Sequence, residues 1–267
     1  MRQKQRARRM ELLLATMTKI SVPSVFSSSH AAAPISRQLS LGITHIDDAT
    51  FDNFYRSGDI NGLPVQALQQ QFSPLGEAFI FLWGGSGCGL THLLQAACRR
   101  AQEWEANAQY ITLEDRLRYS PEYLLDGLEV FDLIAIDGIH LVVGDRLWEL
   151  ALFHLFNRLR DAGKKLLIAA NIGPHQLAVD LPDLHSRLQS GVSFQIQQLN
   201  DQTKQQALQQ RAHGRGLELT DDVARYILQR APRDMSELFR SLEKLDHASL
   251  AEQRKLTIPF VKQVLGL

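Results

Sequence analysis

Residues 78–91 read AFIFLWGGSGCGLT, six apolar residues and then a turn holding four glycines. The stretch runs straight on into HLLQAACRRAQEW. A short continuous apolar run fits a strand buried on both faces, and the segment after the glycines has helical periodicity. A glycine-rich turn between a strand and a helix aims several backbone N–H groups at one point, where the helix N-terminus adds partial positive charge. The layout is that of a phosphate-binding loop, G-x-x-x-x-G-K-[ST]. Here Gly84, Gly85, Ser86, Gly87, Cys88 and Gly89 form the loop and Thr91 keeps the hydroxyl, but the lysine position holds Leu90.

The rest of the chain extends that unit. Residues 108–113, 132–137, 164–171 and 193–199 read as further strands. Residues 91–104, 123–131 and 146–162 read as helices, the first with Leu94, Ala97, Cys98 and Ala101 on one face and the last with Trp148, Leu152, Leu155 and Leu159 at helical spacing. Gly163 is a helix stop. Apolar strands alternating with helices predict a parallel sheet covered on both faces, a three-layer α/β/α domain over residues 43–199. From residue 200 to 267 the pattern is helical only, over 201–213, 220–230, 234–250 and 257–265, with Asp201, Thr220 and Thr257 as expected caps.

Charge separates the first residues from the body. The chain has 29 basic and 29 acidic residues, of which the first twenty positions hold six basic and one acidic, so the remainder is net −5. An acidic body argues against a protein that coats DNA by itself. Residues 1–36, basic and then rich in Ser, Ala and Pro, are expected to be disordered. The apolar core of the first segment is too short and too polar for an export signal, and Met10 or Met17 is an alternative start. No apolar run approaches the roughly 20 residues that span a bilayer. The two cysteines have neither metal-ligand spacing nor the number for a disulfide framework, and a reducing cytoplasm is the expected location. The nine histidines show no paired metal or catalytic pattern and read as structural or surface residues.

Four further features carry chemistry. LIAIDG ends an apolar strand in Asp137, where a carboxylate can sit beside a magnesium ion held also by Thr91; the adjacent position, which in an ATPase orients water, is Gly138. Asn171 ends the strand LLIAAN and can reach a phosphate or its water, although such residues are often turn formers. Arg187 lies in LPDLHSRL between two strands; an arginine at a domain edge can either make a surface ion pair or enter a neighbour's nucleotide site. Residues 37–42, RQLSLG, can dock as an extended peptide through Gln38, Leu39, Ser40 and Leu41, or simply begin the fold.

Taken together, QLSLG, FLWGGSGCGLTHLLQAAC, FDLIAIDGIH, LWELALFHLFNRL, LPDLHSRL and the last stretch LDHASLAEQRKLTIPFVKQVLGL resemble the Hda family, DnaA-related AAA+ proteins. The resemblance covers about Gln38 to Leu267 and implies a P-loop AAA+ fold followed by a small all-helical lid. It implies a negative regulator of replication initiation that, with the DNA-loaded sliding clamp, promotes hydrolysis of the ATP bound to DnaA. In that scheme Gln38–Leu41 bind the clamp and Arg187 is an arginine finger acting in trans. Asp137 is the Walker B acid, and Asn171 lies at the sensor 1 position. Partners are then DnaA and the clamp, with DNA reached only through the clamp complex and a homo-oligomer left open.

The chain departs from the family at Leu90 for a basic residue, at Gly138 for an acid, at Ser236 for the sensor 2 arginine, which Arg233 replaces in this reading, and at Gly42 in the clamp motif. Three of the four fall on its own nucleotide site. The expectation is weak binding of ADP, with magnesium if nucleotide binds, and no intrinsic ATPase activity. Three other readings stand beside it. A DnaA-like or helicase-loader ATPase would need the lysine, the second acid and a DNA-binding element, and a P-loop small-molecule kinase would need a substrate lid with arginines inside the α/β domain. A diverged partner-binding protein without DnaA-inactivating activity would show these same losses.

Overall fold

A computed structural model describes residues 49–56, 60–232 and 234–267. The expected clamp motif Gln38–Leu41 and the proposed substitute Arg233 lie outside the described residues.

A short helix, α1 (Gly62–Gln69), precedes the alternating part, which runs β1 (Phe79–Trp83), α2 (Leu90–Glu103), β2 (Ala108–Thr112), α3 (Pro121–Leu125), β3 (Leu133–Asp137), α4 (Arg146–Asp161), β4 (Lys165–Ala170), α5 (Pro182–Gln189) and β5 (Val192–Gln195). The strands form one sheet in the order β2-β3-β4-β1-β5, every neighbouring pair parallel. β1 pairs with β4 and β5, so the glycine loop leaves the sheet where the chain order reverses. That is the crevice in which open α/β sheets bind ligands.

Alternation along the buried strands divides the core in two. Phe79 and Phe81 of β1, Ile134 and Ile136 of β3 and Leu166 and Ile168 of β4 face a cluster closed by Trp148, Leu152, Leu155 and Leu159 of α4 and by Leu184 and Leu188 of α5. Ile80 and Leu82, Leu133 and Ala135, and Leu167 and Ala169 face the opposite cluster with Leu93, Leu94, Ala97 and Ala101 of α2. Both faces are covered, which is why these strands read as continuous apolar runs.

After β5 come α6 (Asp201–Gly214), α7 (Asp221–Arg230), α8 (Met235–Glu252) and α9 (Ile258–Leu265), packed on a third cluster with Leu208, Ile227, Leu238, Leu242, Leu245 and Phe260 at its centre. No described helix is long and apolar enough to cross a membrane.

Several expectations need correction. The single helix over 123–131 is α3 plus a separate 3-10 turn, Leu128–Val130, because Gly127 adopts φ +70° between them. The last strand stops at Gln195 instead of Leu199. The α6 cap is Asn200, whose side chain accepts from the Thr203 N–H, rather than Asp201. Thr220 stands at the N-cap of α7 without a side-chain cap bond, whereas Thr257 caps α9 through the Phe260 N–H. The segment bearing Arg187 is helical, and α1 has no counterpart in the sequence reading.

Candidate functional site

The glycine loop, the ends of β3 and β4 and the first face of α8 enclose a cavity of about 710 Å³, a volume typical of small-molecule and cofactor sites. Loop residues 84–91, Asp137 and Asn171 all line it, so three of the sequence-nominated features converge. Arg187 does not line it.

The loop's shape depends on glycine at Gly87. Its φ is +74°, and a Cβ there would lie 2.5 Å from Oδ2 of Asp234, the residue that caps α8. A side chain at this position would be strained by the positive φ and would have to push that carboxylate aside. The neighbouring Ser86 carbonyl accepts from Nε2 of Gln198 at 2.6 Å, which ties the loop to the segment after β5. Leu90 opens α2 half-buried against the core cluster on its side of the sheet. The position of the lysine is therefore filled by an apolar side chain.

At the floor, the Thr91 hydroxyl donates to Asp137 Oδ2 at 2.6 Å and the Tyr110 hydroxyl donates to the same oxygen at 2.9 Å. Burial, with the charge of Asp137 added, pushes the Tyr110 phenol far above its ordinary range, so it remains a donor. Burial likewise raises the Cys88 thiol to about 11, against the opposing pull of the Leu90 backbone N–H, which argues against a nucleophilic role. The donor set fits a phosphate with a divalent cation. The loop offers backbone N–H groups, and a hydroxyl and a carboxylate meet at hydrogen-bond distance beneath them. Among the described residues no cluster of three or more His, Cys, Asp or Glu could hold a metal by protein ligands alone.

Gly138, at φ +84°, opens a 3-10 turn over Ile139–Leu141. That turn brings His140 to the cavity wall, where its Nδ1 accepts from the Asn171 N–H at 3.3 Å. Burial lowers the His140 pKa, with Arg116 assisting and Asp137 opposing. Nothing in the sequence singled out this histidine; its only signal was lying three residues beyond the strand-end acid.

The helical part adds cations that the sequence reading also missed. Arg211 of α6, only 8% exposed, lines the cavity with its guanidinium over the Phe239 ring. Arg240 of α8 lies one turn beyond Ser236, and both line the cavity; Arg240 pairs with Glu237. The helical spacing of Ser236 and Arg240 could have revealed the second of these, since residues four apart share a helix face.

Arg187 lies on α5, half-buried, with its guanidinium 6.0 Å from the centroid of Phe156. With Phe153, Asp183 and Ser186 it borders a shallow depression of about 300 Å³. It makes no ion pair among the described residues.

Residues 46–195 match the family of the bacterial DnaA ATPase domain, and residues 201–265 match the Hda lid domain. Domain III of the Thermotoga maritima replication initiation protein DnaA is 24% identical over 82% of this chain and 96% of its own, with a TM-score of 0.67. DnaA from Aquifex aeolicus, solved bound to AMPPCP, is 26% identical over 73% of this chain and 64% of its own, with a TM-score of 0.61. The Thermotoga maritima RuvB Holliday junction branch migration motor is 15% identical over 82% and 72%, with a TM-score of 0.60, a likeness of fold alone.

Proposed function

The chain belongs to the Hda family, a DnaA-type ATPase domain joined to a Hda lid, and from that premise we propose that it switches off DnaA by promoting hydrolysis of DnaA-bound ATP. Joined to the DNA-loaded sliding clamp, it meets ATP-bound DnaA, and Arg187 enters that partner's site and neutralises charge developing on the transferred phosphoryl group. An arginine finger supplied in trans contributes roughly 10³–10⁵ in rate. The observation that carries this reading is the position of Arg187. It stands outside its own chain's cavity, on a helix anchored in the core by Leu184 and Leu188, with no ion pair among the described residues.

The chain's own cavity then has a binding role. Backbone N–H groups of residues 84–91 hold the phosphates of ADP, Thr91 and Asp137 hold magnesium, and Arg211 and Arg240 replace part of the charge lost at Leu90 and Ser236. Magnesium there would neutralise phosphate charge. Without the loop lysine and an acid at Gly138 the chain hydrolyses no ATP of its own, and a finger donor needs none. Gln38–Leu41 serve as the clamp-binding peptide in this scheme. The filled, apolar lysine position also favours a second reading, a partner-binding protein that has lost action on DnaA.

The test is turnover of labelled ATP preloaded on DnaA, with DNA-loaded clamp and either the intact chain or Arg187→Ala. Clamp-dependent conversion to ADP that disappears in Arg187→Ala is expected. Absence of conversion by the intact chain, with clamp binding retained, would establish the second reading instead.

A further inference from the structure

Glu149 is wholly buried in the first turn of α4, yet it is an acid. Its Oε1 accepts from the Gly144 N–H at 2.8 Å and the Asp180 N–H at 3.0 Å, and its Oε2 accepts from the Leu181 N–H at 2.8 Å. Two of these donors belong to the chain that enters α5. Leu181 is the N-cap of that helix and has no side chain able to cap it. In a capping box the helix's own third residue accepts the N-cap N–H; here an acid from another helix does so. Arg187 lies six residues further on, within the same eight-residue helix.

We infer that Glu149 is the positioning residue for Arg187, fixing the start and direction of α5 so that the guanidinium is held ready for a partner's nucleotide. Removing a charge from water is expensive, and an apolar residue of similar size would fill this space at lower cost. Three backbone donors and the N-terminal end of α4 compensate the carboxylate. An apolar side chain would leave the Asp180 and Leu181 N–H groups without acceptors and the entry to α5 free to shift. A displacement near 1 Å at a catalytic group costs on the order of a hundredfold in rate. The inference rests on the reading of Arg187 as a trans-acting finger.

The experiment has two arms. In the first, amide hydrogen exchange on the unaltered chain is expected to show Asp180 and Leu181 protected as strongly as the sheet, although they lie in a connecting segment. Exchange at loop rates would overturn the inference, whether or not any variant folds. In the second, Glu149→Gln is titrated in the DnaA turnover assay. The maximal rate is expected to fall on the order of a hundredfold, with the half-saturating concentration little changed and the double variant no slower than Arg187→Ala alone. An unchanged maximal rate, or a change in half-saturation alone, would sink it while leaving Arg187 in place. Were Arg187→Ala itself without effect, the proposed function would fall and the role of Glu149 with it.

Discussion

Leu90 shows how one side chain sets the character of a site whose backbone is otherwise complete. A charge-assisted hydrogen bond is worth roughly 1.5–3 kcal/mol, so Leu90→Lys should tighten nucleotide binding about ten- to a hundredfold, read by calorimetric titration with ADP. Unchanged affinity would mean that the loop no longer receives phosphate. Asp234 acts in the same direction, an acid over a loop that has lost its base. Asp234→Asn keeps an oxygen for the Ser236 N–H, because asparagine is an equally good N-cap. It should tighten ADP about threefold to tenfold by removing a nearby like charge. Its melting point should stay where it is, and weaker binding would contradict the assignment. His140 has a pH signature. Its pKa is depressed in the folded chain, so its contribution to stability is complete above the ordinary value of 6.5 and is lost as pH falls through that value toward the folded one. The urea midpoint should therefore drop more between pH 7.5 and 5.5 in the unaltered chain than in His140→Gln. Equal drops would rule the histidine out.

Among the elements, α4 does the most to organise the region around Arg187. Its N-cap Asp145 accepts from the Leu147 and Trp148 N–H groups, and its buried face supplies Trp148, Leu152, Leu155 and Leu159 to the core. Asp145→Ala should cost about 0.5–2 kcal/mol in urea unfolding, the usual value of such a cap. A loss below about 0.3 kcal/mol would mean that tertiary packing alone defines the helix start. The apolar spacing of α4 was legible from sequence, because a helix with one dry face must repeat at 3.6 residues. The role of Glu149 was not, because a buried acid between apolar neighbours reads as a solvated position until its backbone donors are known. For α5 the sequence announced little. Eight residues with Pro182 at the start and two buried leucines are too few to separate a short helix from a loop.

At the scale of the whole molecule, the sheet and the helical part have separate cores that meet at the cavity. Phe260 is fully buried at the centre of the helical cluster. Phe260→Ala should destabilise that cluster by about 3–5 kcal/mol, seen as faster amide exchange in α6 to α9 than in β1, β3 and β4. Uniform loss of protection would show that the two parts unfold as one. The sequence by itself determined the alternating α/β order, the glycine loop with its missing lysine, the acid ending β3 and the change to helices after residue 200. Each is carried by local spacing and by the conformations that glycine and apolar runs allow. Only the tertiary structure decided that His140, Arg211 and Arg240 join the loop, that Asp234 rests above Gly87, that Arg187 stays outside the cavity and that Glu149 holds the entry to its helix. Those facts depend on contacts between residues far apart in the chain, and on which buried polar groups find one another once the sheet and its helices close.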